Sequence, residues 1–332
     1  MKILVTGGSG FLGKALVRAL IQRGHTVSTL CRRPDDELDA TGATTHLGDL
    51  GDADVVRRAI TGCDAVFHVA AKVGAGGRAR DFERTNVTGT QHVIDACLAA
   101  GTGQLIYTST PSVVHAGGDI EGADESLPYP THFHADYPRT KALAERAVLA
   151  SNSEKLATIA LRPHLIWGPG DTNLVPRILT RARAGKLRFV GREAKLVDTT
   201  YIDNAVDAHL CALDRLAVGA PCAGRAYFIA NDEPVPQPEI INGILAAGGL
   251  PAVDAYISPG VARVAGAILE LAFRIFKPDG EPPMTRFLAE QLSTAHWYDL
   301  SAARRDLGYE PTVDLRTGLE RLRDALAGDA PA

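Results

Sequence analysis

The first residues of the chain show a change of pattern that predicts a strand, a tight turn and a helix. Residues 2–6 form an apolar run without polar alternation, which is typical of a strand buried on both faces of a parallel sheet. Glycines stand at positions 7, 10 and 13, and apolar residues then recur at helical spacing through position 21. The order strand, glycine turn, helix therefore opens the chain.

This order has a chemical use, because the start of a helix presents unpaired backbone N–H groups and the positive end of the helix dipole. Glycine allows a tight turn, close approach of a phosphate to the backbone, and close packing of the helix on the strand. A purely structural turn would also use glycine. We predict a dinucleotide site whose pyrophosphate is held by the loop residues Gly7, Gly10, Phe11, Leu12 and Gly13.

Further apolar runs alternate with helical periodicity along the rest of the first half. Strands are predicted at residues 25–30, 44–47, 65–71 and 105–109, with helices from about 53, at 86–101 and at 137–150. The stretch 111–134, rich in proline, glycine and histidine, is predicted to be a loop over the site. This alternation predicts an α/β fold with a doubly wound parallel sheet, the Rossmann fold.

The pattern also suggests two domains. We assign residues 1–165, with 197–230 returning to them, to the nucleotide-binding domain. Residues 166–196 and 231–329 are assigned to a smaller, mostly helical, C-terminal substrate-binding domain.

Composition and charge restrict the function. The chain has 332 residues, 45% of them hydrophobic and 22% charged, and its net charge of −4 gives no reason to expect nucleic acid as a partner. No apolar stretch reaches the length of a membrane span, and the start of the chain does not resemble a signal peptide. The five cysteines and the pair His132 and His134 show no metal-ligand spacing, so we expect a cytoplasmic protein without a metal.

The second chemical signal is a tyrosine followed by a lysine four positions later. Tyr137 and Lys141 fall on one face of the predicted helix, which brings the ammonium group near the phenol. A free tyrosine has a pKa near 10, and a neighbouring cation is expected to lower it toward the range useful for proton transfer. Hydroxyl groups that could hold a carbonyl beside this tyrosine follow the fifth strand, at Thr108, Ser109, Thr110 and Ser112.

Several residues bear on the cofactor. The second strand runs into Arg32 without an acid at its end, which favours the 2′-phosphate of NADP(H) over the ribose hydroxyl of NAD(H), although Asp35 or Asp36 could still serve NAD. Asp49, followed by Leu50, either meets the adenine or caps the next helix. Ala70 and Ala71 have small side chains that would let the cofactor lie against the backbone.

At this point the chain resembles the extended short-chain dehydrogenase/reductase family. The resemblance covers nearly the whole chain, and it implies that Tyr137 and Lys141 are the catalytic pair. It further implies that Thr110 is the catalytic Ser/Thr, with Ser109 and Ser112 as alternatives, that Asn86 is the helix-kinking asparagine, and that Asp49 contacts adenine.

Two departures indicate the branch of that family. Val197 stands where nucleotide-sugar enzymes usually carry an arginine, and Asn204 stands where they generally have Asp. Both resemble the 3β-hydroxysteroid dehydrogenase branch. Within it, stretches 108–113, 144–150, 166–171 and 196–204 are most similar to bacterial reductases that act on 2-alkyl-3-oxoalkanoates in long-chain olefin biosynthesis.

That similarity implies reversible, NADPH-dependent reduction of a long-chain β-keto acid to the 2-alkyl-3-hydroxy acid, a step of lipid metabolism. It also implies a homo-oligomer and assembly with other enzymes of the olefin pathway. The alternatives are a 3β-hydroxysteroid or sterol dehydrogenase, a nucleotide-sugar epimerase or dehydratase, and a non-catalytic NADP-sensing protein.

The substrate contacts are the least determined part. Candidates are Lys72, Ser112, His164 and Trp167, with His115 and Arg78 as further groups for a substrate carboxylate. Five aromatic residues are either apolar lining of the site or ordinary core residues: Trp167, Phe189, Phe287, Trp297 and Tyr298. An apolar stripe recurs at helical spacing over residues 260–276. It predicts one of four things: a core helix of a small lid domain, a wall for alkyl chains, a docking face for a partner, or a helix lying peripherally on a membrane.

Overall fold

A computed structural model describes residues 1–74, 76–277 and 279–328, and a seven-stranded parallel sheet forms its centre. The predicted domain limit at residue 329 lies outside the described residues, as does residue 75. The strands, in chain order, are β1 Lys2–Thr6, β2 Thr26–Cys31, β3 Thr44–Leu47, β4 Ala65–His68, β5 Gln104–Thr108, β6 Ile120–Ala123, β7 Ala157–Pro163, β8 Ile166–Trp167, β9 Phe189–Val190, β10 Leu196–Val197, β11 Thr200–Tyr201, β12 Arg225–Ile229, β13 Val235–Pro236, β14 Tyr256–Ile257 and β15 His296–Tyr298.

The large sheet has the order β12-β7-β5-β4-β1-β2-β3, and every neighbouring pair is parallel. Its central strands are apolar on both faces because helices cover both sides. Ile3 and Val5 pack into one core cluster, whereas Leu4 packs into the other. The predicted doubly wound fold is therefore confirmed.

The helices that cover this sheet and build the rest of the chain include a six-residue π-helix, Glu83–Thr88, and a short 3₁₀ helix, Pro111–Val114. The α-helices are α1 Phe11–Gln22, α2 Asp36–Asp39, α3 Ala53–Ile60, α4 Ala79–Phe82, α5 Gly89–Ala100, α6 Asp136–Ala150, α7 Leu174–Arg183, α8 Ile202–Arg215, α9 Gln237–Ala247, α10 Pro259–Phe276, α11 Arg286–Gln291, α12 Ser301–Leu307 and α13 Leu315–Gly328.

The structure departs from the sequence pattern in three places. Strand β4 ends at His68 rather than at residue 71, so Ala70 and Ala71 lie in the loop beyond it. The stretch 111–134 contains strand β6, which belongs to a second sheet of order β13-β10-β15-β6. The C-terminal part is thus less purely helical than predicted, because very short strands leave little pattern to detect.

Helix α10 has the predicted length, but most of its large apolar side chains point away from the protein, whereas those of a core helix point inward. Its buried residues are Ala262 and Gly266, which face α11, while most of the large apolar side chains of the stripe point outward. Within the described residues, no helix is both long and apolar enough to cross a bilayer.

Candidate active site

The glycine loop between β1 and α1 is closed to side chains at two positions. Gly7 has a φ of +72°, and a Cβ built on it would lie 2.9 Å from the Cα atom of Ala70. A Cβ on Gly13 would lie only 2.1 Å from the Gly7 carbonyl oxygen. The Gly10 N–H donates to that same oxygen at 2.9 Å. The loop therefore requires glycine for its turn and for the close approach of α1.

The start of α1 is suited to an anion. Gly10 is the N-cap residue and provides no side-chain cap, and the first turn carries no acidic residue. The N–H groups of this turn, including those of Phe11 and Leu12, thus have no competing side-chain carboxylate, while the Leu12 side chain itself is buried in the core. This cradle of glycine and uncapped helix fits the pyrophosphate of a dinucleotide.

Arg32 and Asp35 follow β2, and they differ in whether their charges are already paired. Arg32 is exposed and forms no ion pair with any described residue. Asp35 accepts a hydrogen bond from the Leu38 N–H at 3.1 Å and pairs with Lys14 Nζ at 2.9 Å, and this lysine holds the pKa of Asp35 below its usual range. Asp35 is therefore already occupied as a cap and an ion-pair partner.

Asp49 does not cap the following helix, because Asp52 does so by accepting from the N–H groups of Asp54 and Val55. The Asp49 carboxylate instead accepts from the Gly51 N–H at 2.8 Å and lies 3.3 Å from Arg84. The capping alternative is thus wrong, and the adenine contact stays a prediction. Leu50 is buried in the adjoining core cluster.

Tyr137 lies in the first turn of α6, and the Thr110 hydroxyl is near enough to its phenol to influence the phenol's pKa. Burial raises the pKa of the Tyr137 phenol to about 12, and the Thr110 contact lowers it in part. The shift is opposite to the expected one, because burial penalises the phenolate more than this hydroxyl stabilises it. The phenol is consequently protonated at neutral pH.

Lys141 lies one helical turn further along and is almost fully buried. Its Nζ atom donates to the Thr108 carbonyl oxygen at 2.5 Å and stands 4.1 Å from the centre of the Tyr107 ring. Burial lowers the pKa of Lys141 to about 7, against an opposing influence of the Glu145 charge. Lys141 therefore binds strand β5 directly, rather than the phenol.

The four candidate hydroxyls have different environments. Thr108 Oγ1 is bonded to His209 Nε2 at 2.8 Å, on the side of the sheet core. The Ser109 hydroxyl is buried and has no hydrogen-bond partner among the described residues. Thr110 donates to the Ser112 hydroxyl at 3.2 Å. Of the four hydroxyls, that of Thr110 is the one that lowers the pKa of the Tyr137 phenol.

Asn86 lies in the π-helix and joins two parts of the site. Its Oδ1 atom accepts from the Lys72 N–H at 2.7 Å, and its Nδ2 atom donates to the Lys72 carbonyl and to Thr140 Oγ1, both at 3.0 Å. Thr140 belongs to α6, next to Lys141. Asn86 thus fixes the loop after β4 relative to the helix that carries Tyr137.

Sequence reasoning missed a buried chain of hydrogen bonds behind the glycine loop. His68 Nδ1 bonds Thr6 Oγ1 at 2.8 Å, and His68 Nε2 bonds Thr90 Oγ1 at 2.9 Å. Thr90 in turn donates to the Asn86 carbonyl at 2.6 Å, and Thr6 accepts from the Ala70 N–H at 3.2 Å. The available signal was a polar residue ending each apolar run, at Thr6 and His68.

A cavity of about 150 Å³ opens beside Tyr137. Its walls include Gly76, Gly77, Phe82, His134, Tyr137, Glu270 and Phe287. Of the five aromatic residues considered as lining, Phe287 is one of these walls, whereas Phe189 and Tyr298 are buried in the core. This volume is smaller than the ~300–1,000 Å³ typical of pockets for drug-sized ligands, so it accommodates a reacting centre rather than long alkyl chains.

Two predicted substrate contacts belong to the core instead. Trp167 is fully buried, donates to Thr199 Oγ1 at 2.9 Å and packs edge-on against Tyr201. His164 is bonded to the Asp198 carbonyl at 2.6 Å and packs against His296. Neither residue lines the cavity, because each side chain packs against the buried partners just named.

The remaining candidates for a substrate carboxylate differ in their charge. Arg78 is paired with Asp279 at 2.7 Å, and His115 is buried, which lowers its pKa and favours its neutral form. Lys72 forms no ion pair with a described residue. A Cβ on the cavity residue Gly77 would lie 3.3 Å from Lys72 Nζ, so this ammonium borders the cavity.

Within the described residues, no group of three or more His, Cys, Asp or Glu side chains is arranged to hold a metal ion.

Comparison with known proteins gives consistent matches. Residues 4–251 match the model of the 3-beta hydroxysteroid dehydrogenase/isomerase family. The 2-alkyl-3-oxoalkanoate reductase of Stenotrophomonas maltophilia (strain K279a) is 54% identical over 98% of this chain and 100% of its own length, and that of Shewanella oneidensis is 48% identical over 97% and 85%.

More distant matches follow. The mouse (Mus musculus) sterol-4-alpha-carboxylate 3-dehydrogenase, decarboxylating, is 36% identical over 96% of this chain and 89% of its own length. Among solved structures, MoeE5 in complex with UDP-glucose and NAD superimposes with a TM-score of 0.75 at 25% identity, over 99% of both chains.

Proposed function

This chain belongs to the 3-beta hydroxysteroid dehydrogenase/isomerase family, and from that premise we propose that it reduces 2-alkyl-3-oxoalkanoates to 2-alkyl-3-hydroxyalkanoates with NADPH. It is an oxidoreductase that acts on CH–OH groups. The observation that carries the proposal is a protonated Tyr137 phenol that lines the cavity and whose pKa is influenced by the neighbouring Thr110 hydroxyl. Full-length similarity to the two bacterial reductases supports the substrate class.

The cofactor is a nicotinamide dinucleotide, as in the family, and its preferred form is proposed to be NADP(H). Gly7, Gly10 and Gly13 would hold the pyrophosphate, Ala70 and Ala71 would line the loop, and Asp49 would meet the adenine. The guanidinium of Arg32, which has no ion-pair partner in the described part of the chain, would bind the 2′-phosphate, because Asp35 is engaged by Lys14. When bound, the nicotinamide supplies the hydride for the reduction.

Three side chains, those of Tyr137, Thr110 and Lys141, would act on the substrate carbonyl oxygen and on the proton that it receives. Because the pKa of Tyr137 is about 12, the phenol meets the substrate protonated and can donate to the C3 carbonyl oxygen as that oxygen becomes negative. Thr110 would donate a second hydrogen bond to the same oxygen. A protonated Lys141, one turn along α6, would then stabilise the resulting phenolate.

The substrate carboxylate is proposed to bind Lys72. This ammonium borders the cavity and has no ion-pair partner among the described residues, whereas Arg78 is neutralised by Asp279. Asn86 holds the Lys72 backbone against α6, so the carboxylate site and the phenol would be fixed relative to each other. Asn86 therefore acts as a positioning residue.

The proposed activity is tested by following NADPH oxidation with a panel of 2-alkyl-3-oxoalkanoates and 3-ketosteroids. We expect turnover of the keto acids, and a Tyr137→Phe variant should lose it by about 10²-fold or more while still binding NADPH, since only the proton donor is removed. Retained turnover in that variant would refute the role of Tyr137.

A sterol or 3β-hydroxysteroid dehydrogenase is the second candidate, because the mouse relative carries that activity in its name. Turnover of 3-ketosteroids with no turnover of keto acids would select it. The homo-oligomeric state, the assembly with other olefin-pathway enzymes and the cytoplasmic location stay predictions.

A further inference from the structure

Helix α10 carries a stripe of large apolar side chains that the protein itself leaves exposed. Six of the fourteen exposed large apolar residues in the described part of the chain lie on this one helix, and each of the six is more than half exposed. Five of them recur at intervals of three and four residues along one side, Val261, Val264, Ile268, Leu271 and Ile275, and Phe276 ends the helix beside them.

The stripe is not an unfilled core face. The opposite side of α10 is already packed, because a Cβ added to Gly266 would lie 2.6 Å from the backbone of Thr285. Ala262 is fully buried on that same side, and Glu270 pairs with Arg286 across the contact with α11. The small residues Ala262 and Gly266 thus face the protein, and the six large apolar residues of the stripe face outward.

Basic residues border the stripe. Arg263 and Arg274 are eleven residues apart, which is three helical turns, so they lie along the same edge of α10, and Lys277 follows its end. None of the three forms an ion pair with a described residue. The one acid on the helix, Glu270, is engaged by Arg286. The exposed side of α10 is therefore apolar with uncompensated positive charge.

We infer that α10 docks this protein onto an anionic lipid bilayer, with the apolar stripe in the acyl region and the arginine edge at the headgroups. A large apolar face bordered by Lys and Arg is the pattern of a helix that lies in the membrane plane. A second copy of the chain fits this charge less well, because in an antiparallel pair the two arginine edges would meet and repel each other.

The inner side of the same helix reaches the catalytic cavity, since Glu270 is one of its walls. The docked bilayer would therefore lie on the far side of the element that closes the site. A direct route for long-chain substrate from the bilayer rests on the proposed function, whereas docking itself does not.

The test is co-sedimentation of the full chain with vesicles of phosphatidylcholine and phosphatidylglycerol in equal parts, and with vesicles of phosphatidylcholine alone. Binding to the anionic vesicles, weakened by salt, is expected. An Ile268→Ser/Ile275→Ser variant should bind the anionic vesicles at least about tenfold more weakly, because two apolar side chains that would insert into the bilayer are lost. Arg263→Gln/Arg274→Gln should lose several-fold in binding and most of the salt dependence.

The matched control is Val218→Ser, which alters an exposed apolar residue outside α10 and should bind vesicles like the parent chain. Turnover of a short-chain, water-soluble β-keto acid should be unchanged in all variants, so a failure of the proposed function is detected separately. The inference is overturned if the parent chain does not bind anionic vesicles, or if the serine variant binds equally. Concentration-dependent dimerisation abolished by the serine variant, without vesicle binding, would assign the stripe to a second copy instead.

Discussion

Arg32 is the residue on which the proposed preference for NADP(H) depends. Its guanidinium is exposed and forms no ion pair with a residue that the structure describes, while Asp35 is held by Lys14 and by the start of α2. The sequence showed both residue types but could not show which of them was already engaged, because that depends on the position of Lys14 on α1.

We expect an Arg32→Ala variant to raise the KM for NADPH by about 10- to 100-fold, which corresponds to the ~1.5–3 kcal/mol of a hydrogen bond to a charged group. The KM for NADH should change little. Steady-state kinetics with both cofactors provide the measurement, and Arg58→Ala, an exposed arginine on α3, is the control. Equal effects on the two cofactors would end the argument for a 2′-phosphate contact.

Lys72 is the second residue whose role depends on charge balance. A Lys72→Met variant should raise the KM for the keto acid by about tenfold or more with a smaller change in kcat, because it removes ground-state binding of the carboxylate. Arg78→Met is the matched control, since the Arg78 charge is compensated by Asp279. If the control reduces substrate affinity and Lys72→Met does not, the carboxylate binds elsewhere.

At the scale of elements, helix α6 is anchored to the sheet by a buried ion pair. Glu145, one turn beyond Lys141, accepts hydrogen bonds from Arg162 on β7 at 2.6–3.2 Å and from the Tyr129 hydroxyl at 2.6 Å. Both charged side chains are nearly inaccessible. This contact fixes the helix that carries Tyr137 relative to the carboxyl ends of the strands.

A Glu145→Gln variant should lower the free energy of unfolding by about 3–5 kcal/mol, because it leaves the Arg162 charge buried without its partner. Urea unfolding measures this directly, and Glu154→Gln, on the exposed turn after α6, is the control. A loss of less than ~1 kcal/mol in Glu145→Gln would mean that the pair contributes little beyond its own desolvation.

The sequence predicted the positions of elements with a strong local pattern, but it did not predict which side of each element is buried. The runs that form β1 and β3 and the periodicity of α6 were found within one or two residues. For α10, the periodicity gave the helix but not its buried side, because Gly266 and Ala262 make the contact with α11 through backbone proximity. Strand β6 was missed because its pairing with β15 joins distant parts of the chain.

At the scale of the whole molecule, buried histidines link stability to pH. Burial lowers the pKa of His68 and His164 to about 3 and that of His209 and His296 to about 4. Since an unfolded histidine has a pKa near 6.5, the unfolded chain binds more protons than the folded one between these values. Stability is therefore complete above about pH 6.5 and decreases as the pH falls toward 4.

Urea titrations at several pH values should show this decrease, with a slope of up to about 1.4 kcal/mol per pH unit for each such histidine. A His296→Asn variant should have a shallower slope, because one of the titrating groups is removed. The exposed His132→Asn should match the parent chain. A stability that stays constant from pH 7 to pH 5 would contradict the buried, neutral state of these rings.

The residue types of the site could be predicted from the sequence, whereas the contacts and burial of those residues were harder to predict. The glycines, Tyr137 and Lys141 lie where one strand-turn-helix pattern and one helical spacing put them. Trp167 was misplaced, because a large aromatic side chain fits a substrate wall and a core equally well from sequence alone. The pKa of Tyr137 could not be anticipated, since it depends on burial.

The engagement of Asp35 by Lys14 has a consequence for protein engineering. A redesign toward NADH would ordinarily place an acid at position 32, but that acid would stand close to the carboxylates of Asp35 and Glu37, which already share Lys14. Replacing Arg32 and Lys14 together would remove the ion pair of Asp35 and would leave Arg18 as the remaining ion-pair contact from α1 to Glu37 on α2. Cofactor choice and the strength with which that short helix is attached are thus coupled traits, and a designer would have to alter them jointly.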